Sequence, residues 1–123
     1  MIGVLSEFEL PAERREGLTG VWIGEHKIAS IGVAVRRWVT YHGLALNLHT
    51  DLDAFRGFRP CGLDAAVMTR LADHVELPPT NLLGEVLLVK HFCRVFDYEL
   101  PPPSPLADAD PEGGCGLPQL PIL

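Results

Sequence analysis

Apolar positions along the chain change period several times, and each change predicts a new element. Ile2, Leu5, Phe8 and Glu9 recur at near-helical spacing and stop before Pro11, which reads as the closing turns of a helix with almost no beginning. Gly17-Leu18-Thr19-Gly20 marks a turn, and Val21-Trp22-Ile23 predicts a short strand reversed by Gly24-Glu25-His26. Lys27 opens the return strand. Residues 27–35 are Lys-Ile-Ala-Ser-Ile-Gly-Val-Ala-Val, small or β-branched after the lysine, a composition that predicts a strand buried on both faces. Arg36-Arg37 predicts a solvated turn. From Trp38 to Leu48 alternation predicts a further strand, with His42, Leu44, Leu46 and Leu48 on one face and Tyr41, Gly43, Ala45 and Asn47 on the other.

Beyond that strand the pattern loosens. Asp51 to Phe55 predicts a short helical turn and Arg56 to Pro60 a loop, so Cys61 stands at a loop end between Pro60 and Gly62, a place for a reactive group rather than for core packing. Residues 64–74 fit either a helix capped by Asp64 or a turn followed by a strand. After Pro78-Pro79, Thr80 is the N-cap of a helix at 81–98 whose Leu82, Val86, Val89, Cys93 and Phe96 fall on one stripe. From Pro101 the chain turns to Pro-Pro-Pro-Ser-Pro, then Asp/Ala and Gly/Pro, too little apolar surface to offset the entropy of ordering. Residues 101–123 are therefore expected to form a disordered tail, Cys115 included, leaving 1–100 as the folded part. No internal repeat is visible.

Composition narrows the class. At 123 residues, with 47% apolar and 21% charged residues, the chain fits one soluble globular domain. A net charge of -6 argues against nucleic acid as a partner, because neutralising phosphates needs a basic face. No apolar run approaches the roughly 20 residues that span a bilayer, and the first residues carry no basic region ahead of an apolar stretch, so neither a membrane segment nor a signal peptide is read. The expected location is cytoplasmic. Cys61, Cys93 and Cys115 are odd in number and contain no C-x-x-C pair, so free thiols in a reducing compartment are expected, with no metal site and no cofactor.

Candidate chemistry centres on one thiol and one amine. A thiolate attacks acyl carbons well, but at its usual pKa of about 8.5 the thiol is mostly protonated at neutral pH and needs a base or a positive neighbour. Lys27 shares a face with Ala29, Ile31 and Val33, and apolar surroundings favour the neutral amine that accepts a proton. Once protonated, such an amine stabilises the thiolate and can return a proton to the leaving group. Taken singly, each residue has an ordinary reading: an inert cysteine, and a lysine snorkelling to water at a strand start. Cys93 fits a packing role in the helix stripe, and His42 fits a structural role as well as a functional one. His26, His49, His74 and His91 read as turn or surface residues, and Asp51 with Asp53 as a capped turn.

Read in order, these segments carry more information than they do singly. Gly20-Val21-Trp22-Ile23, Lys27-Ile28-Ala29-Ser30-Ile31-Gly32-Val33, Arg36-Arg37-Trp38-Val39-Thr40-Tyr41-His42-Gly43-Leu44-Ala45-Leu46-Asn47-Leu48, Asp51-Leu52, Phe55 and Pro60-Cys61-Gly62 resemble the octanoyltransferases of lipoate biosynthesis across residues 17–63. The separations recur as well, including 34 positions from Lys27 to Cys61. The resemblance implies an α/β (α+β) fold, a mixed sheet flanked by helices as in biotin and lipoate protein ligase catalytic domains, with residues 1–100 as the C-terminal half of such a domain. It implies Cys61 as the acyl-thioester nucleophile and Lys27 as its general acid/base. It further implies Ser30, Ile31, Gly32, His42, Gly43 and Ala45 as substrate-binding residues, and backbone N–H groups near Lys27 or Gly62 as oxyanion donors. The implied partners are octanoyl-acyl carrier protein as donor, and as acceptors the lipoyl domains of 2-oxo acid dehydrogenase complexes and the glycine cleavage H protein.

The sequence also departs from the family pattern. The earlier Arg-Gly-Gly segment and the Tyr-His-Gly-Pro-Gly-Gln that follows it, which build much of the acyl pocket, have no counterpart. Tyr41-His42-Gly43 follows the lysine strand and matches the family's second His-Gly segment instead. Thr69-Arg70-Leu71 stands where the family usually has Thr-Ser-Leu. A ligase that activates its acid with ATP would need a Gly/Arg-rich adenylate loop, which is absent; a noncatalytic fragment or carrier-binding module of the same fold is the second expectation. With one good helix to cover the strands, a face or an edge of the sheet is expected to lie bare.

Overall fold

A computed structural model describes residues 1–55 and 65–100. Its centre is an antiparallel four-stranded sheet in chain order, β1 (Ala12–Arg15), β2 (Leu18–Ile23), β3 (His26–Arg36) and β4 (Val39–Leu46). A short helix, α1 (Ile2–Ser6), precedes the sheet and a longer one, α2 (Asn81–Phe96), follows it. Short 3₁₀ turns at Leu52–Phe55, Ala65–Val67 and Leu71–Asp73 connect the sheet to α2. An isolated parallel bridge between Lys27 and Met68 joins the antiparallel pairings, so the hydrogen-bonding pattern is mixed at the Lys27 end.

Tight turns set the register. Ile23 pairs with His26 around Gly24-Glu25, with Gly24 at φ 51°, the first position of a primed two-residue turn. Arg36 pairs with Val39 around Arg37 and Trp38, whose φ of 51° and 67° make a second primed turn from residues that resist that backbone. The turn is therefore Arg37-Trp38 rather than Arg36-Arg37, and β4 starts at Val39. Trp38 is left 98% exposed. The polar stretch Ala12–Arg15 carries no apolar alternation, yet it forms the edge strand β1 by pairing with β2. Its Arg15 lies over the Trp22 ring and binds both oxygens of Glu25, at 2.6 and 3.2 Å, holding that carboxyl below the usual carboxylate range. Charged residues suit an edge, where they discourage further pairing.

The core gathers Leu5, Val21, Ile23, Ile28, Ala29, Leu48 and Leu71. Thr80 caps α2 as its position predicts, accepting from the Leu83 N–H at 3.3 Å. The inward face of α2 differs from the expected one. Gly84 and His91 are buried, whereas Leu82, Val86, Val89 and Phe96 are exposed and Cys93 is half-buried. Close approach explains the choice: a Cβ at position 84 would run into Leu48, and a Cβ at Gly3 would fall 2.5 Å from His91 Nδ1. His91 is thus a buried residue and not a surface one. Its Nε2 meets Glu7 Oε1 at 3.0 Å, and Lys90 Nζ donates to the same oxygen at 3.0 Å, tying α1 to α2.

Burial of β3 on both faces holds for Lys27, Ile28 and Ala29 only. From Ile31 to Arg36 all but the half-buried Ala34 are exposed, because β3 and β4 run on as a ribbon that no described residue covers. Residues 65–73 form two 3₁₀ turns on either side of the bridged Met68, neither the helix nor the longer strand that the sequence allowed. The expected loop at 56–60, Cys61, Asp64 and the tail 101–123 with Cys115 lie outside the described residues. Among the described residues no helix is long and apolar enough to cross a membrane.

Candidate active site

Lys27 is the second residue of β3 and is 1% exposed. Burying so long a polar side chain is costly unless the fold is shaped around it. Gly20 on β2 supplies that shape. It sits at φ 136°, and a Cβ there would fall 2.6 Å from Lys27 Cε, 3.3 Å from Nζ and 2.5 Å from the Ala29 carbonyl oxygen. The lysine stem and amine therefore lie flat across a position that only glycine leaves open. Gly20 also lines an open cleft of about 560 Å³, together with Met1, Leu18, Val21, Ile31 and Val95. The amine thus rests against part of the wall of a mainly apolar cleft of ordinary ligand-site size.

Pairing in the ribbon brings the six expected substrate-binding residues together. Ser30 stands opposite Ala45, Ile31 opposite Leu44 and Gly32 opposite Gly43, while His42 faces Val33. Alternation places Ile31 and Val33 on one face of the ribbon and Ser30, Gly32, Gly43 and Ala45 on the other, and the register shift between Val21 and Trp22 breaks that alternation before Lys27. Ser30 is half-buried; the other five are exposed. His42 has φ 70° within β4, a conformation rare outside glycine, and its ring lies 4.6 Å from that of Tyr41. Successive strand side chains normally point to opposite faces, so the turned backbone is what lets these two rings meet.

Cys61 and Gly62 lie outside the described residues. The segment that follows the cysteine is described. Met68 bridges Lys27, and the Thr69 N–H donates to the Lys27 carbonyl at 3.0 Å. Thr69 is buried, with its hydroxyl 2.9 Å from His74 Nε2, and Leu71 is fully buried. Gly20, Asn47 and Thr69 all belong to this neighbourhood without having been singled out by periodicity. Signals for them existed: the glycine of Gly17-Leu18-Thr19-Gly20, a segment expected to be a turn but mostly strand β2, a polar residue directly after β4, and the Thr-x-Leu after the cysteine.

Similarity to known proteins agrees with this architecture. Residues 1–92 match the family model described as lipoyl protein ligase A/B catalytic domain. The chain is 45% identical over 109 residues to an octanoyltransferase of Solibacter usitatus, covering 89% of this chain and 49% of that protein. It is 46% identical over 101 residues to an octanoyltransferase of Synechococcus sp. (strain JA-3-3Ab), covering 80% of this chain and 38% of that one. A third octanoyltransferase, of Gloeobacter violaceus, is 41% identical over 117 residues, 94% of this chain and 51% of the relative. The chain spans about half the length of the curated relatives it matches, or less. With a family model matched from its first residue through most of α2, the chain belongs to the lipoyl protein ligase A/B catalytic domain family.

Proposed function

We propose that this chain carries the acyl-transfer machinery of an octanoyltransferase acting in the cytoplasm, with residues 1–100 as the C-terminal half of its catalytic domain. Cys61 Sγ attacks the carbonyl carbon of an octanoyl thioester on acyl carrier protein while Lys27 Nζ takes the thiol proton. The carrier thiolate leaves and receives that proton. An amine of a lipoyl-domain lysine then attacks the Cys61 thioester, Cys61 leaves as a thiolate, and the proton lost by the amine returns to it through Lys27. The acceptors would be the lipoyl domains of 2-oxo acid dehydrogenase complexes and the glycine cleavage H protein.

The observation that carries the reading is the burial of Lys27 across Gly20, at the wall of a cleft, with the chain that returns from Cys61 hydrogen-bonded to its backbone. A structural lysine at a strand start would instead extend to water. The relatives' printed name, octanoyltransferase, supplies the substrate class. A second reading is favoured by the bare apolar residues of β3, β4 and α2, which leave the cleft open on one side: a carrier-binding module that does no chemistry by itself. Intact-mass measurement after incubation with octanoyl-acyl carrier protein separates the two. The transferase reading expects an octanoyl adduct that disappears in Cys61→Ala and persists in Cys93→Ala. In Lys27→Arg, which keeps a charge but cannot accept a proton, adduct formation should fall at least about tenfold. Carrier binding without an adduct favours the module, and an adduct surviving Cys61→Ala removes the assignment of the nucleophile.

A further inference from the structure

Directly after β4, Asn47 is 8% exposed and every polar group for which a bond is described ties a different piece of the neighbourhood. Its backbone N–H donates to the Ile28 carbonyl at 3.0 Å, and its own carbonyl accepts from the Leu71 N–H at 2.8 Å. Its side-chain Nδ2 donates to the Thr69 carbonyl at 3.0 Å, and Oδ1 accepts from the Thr50 hydroxyl at 3.2 Å. Arg70 closes the circuit by donating from Nη1 to the Thr50 carbonyl at 3.1 Å. Thr50 and Thr69 are the two ends of the excursion that contains Cys61, so a ring of hydrogen bonds fastens that excursion at its base. The same ring grips two successive carbonyls of β3: the Asn47 N–H donates to that of Ile28, and the Thr69 N–H to that of Lys27.

We propose that Asn47 is a positioning residue that sets the Lys27 strand against the two ends of the Cys61 segment; this rests on the acyl-transfer reading above. Chemistry favours an amide at this position. The Thr69 carbonyl needs a donor and the Thr50 hydroxyl needs an acceptor, and a primary amide offers both in one rigid plane. A leucine of similar size would fill the volume and satisfy neither, leaving buried polar atoms without partners. Both ends of the chain that carries Cys61 are thus tied to the strand that carries Lys27.

The test reads Cys61 itself and needs no turnover. The full chain is alkylated with iodoacetamide across a pH series, and each cysteine is followed by peptide mass spectrometry, with Cys93 and Cys115 as controls in the same molecule. Lys27→Met should slow Cys61 alkylation at pH 7 about tenfold by withdrawing the amine that favours the thiolate. Asn47→Leu should move the Cys61 profile in the same direction, about three- to tenfold at pH 7, while Cys93 and Cys115 are unchanged and the circular dichroism stays native. Should Asn47→Leu fail to fold, Thr50→Val, which removes one hydroxyl from the ring, decides by the same readout with a smaller shift. A Lys27→Met effect with no shift in the folded ring variant overturns the positioning role and leaves the acyl-transfer reading standing. No effect of Lys27→Met separates Lys27 from Cys61 and overturns both.

Discussion

The two ends of β3 are built on different principles. At Lys27, Ile28 and Ala29 the strand is sealed, paired with β2 on one side and with the chain at Asn47 and Thr69 on the other, and packed on Leu5, Leu48 and Leu71. Four residues on, the same strand presents Ile31, Val33 and Val35 to solvent, paired only with β4, whose Val39, Tyr41 and Leu44 are equally bare. Pairing with β4 continues along the whole ribbon, but pairing on the other edge stops near Ala29. Tertiary cover stops there too. The candidate site lies where cover ends, with Lys27 just inside the sealed part and Ile31 just outside it, which suits the acyl-transfer role proposed above, where a buried amine is held rigidly beside an open cleft.

Substitutions on either side of that boundary should differ sharply. Leu71→Ala, at a fully buried position, should cost roughly 2–5 kcal/mol in urea unfolding, while Val86→Ala on the exposed side of α2 should stay within about 0.5 kcal/mol. Equal costs would mean that α2 is covered in solution by something other than the described residues. Gly20→Ala should come next, at roughly 1–3 kcal/mol, because the added methyl meets both the Ala29 carbonyl and the Lys27 stem at a backbone angle that resists side chains. A well-tolerated alanine would show that Lys27 does not lie across position 20.

The latch between α1 and α2 adds a pH dependence. Hydrogen bonds from Lys90 and then His91 hold the Glu7 carboxyl below the usual carboxylate range. A depressed acid stabilises the fold above its unfolded value and loses that contribution as pH falls through its lowered folded value. Stability measured from about pH 5 downward should therefore fall more steeply in the native chain than in Glu7→Gln, which cannot titrate. Parallel curves would remove the latch from the acid response. The ribbon contributes little to stability: Val33→Thr with Val35→Thr should change unfolding by no more than about 1 kcal/mol yet reduce self-association in sedimentation velocity, since an exposed apolar edge invites pairing. Unaltered association would place the sticky surface elsewhere, with the outer side of α2 the next to alter.

Much of this could be read from residues alone. Alternation located the strands at 21–23, 27–35 and 38–48 to within a few positions, Thr80 announced α2, and the spaced motifs from Gly20 to Cys61 pointed to the family that the comparisons show. The strand at Ala12–Arg15 was not legible, because charged residues with no period join a sheet only when a neighbour offers them an edge. Nor was the ring about Asn47, whose partners Thr69 and Leu71 lie more than twenty residues away in sequence.

What the sequence determined by itself is periodicity, and periodicity says how often a face recurs without saying which face meets the core. In α2, Leu82, Val86, Val89 and Phe96 form as good an apolar stripe as any, yet Gly84 and His91 turn inward. Only the assembled structure decided this: the smallest residue lets the helix approach Leu48, and a ring that packs on Gly3 while binding Glu7 fits a space that a greasier side chain would leave unsatisfied. The same holds for β3, whose eight small and branched residues from Ile28 to Val35 specify an extended strand but not its cover, because cover is a property of what else the chain brings to that surface.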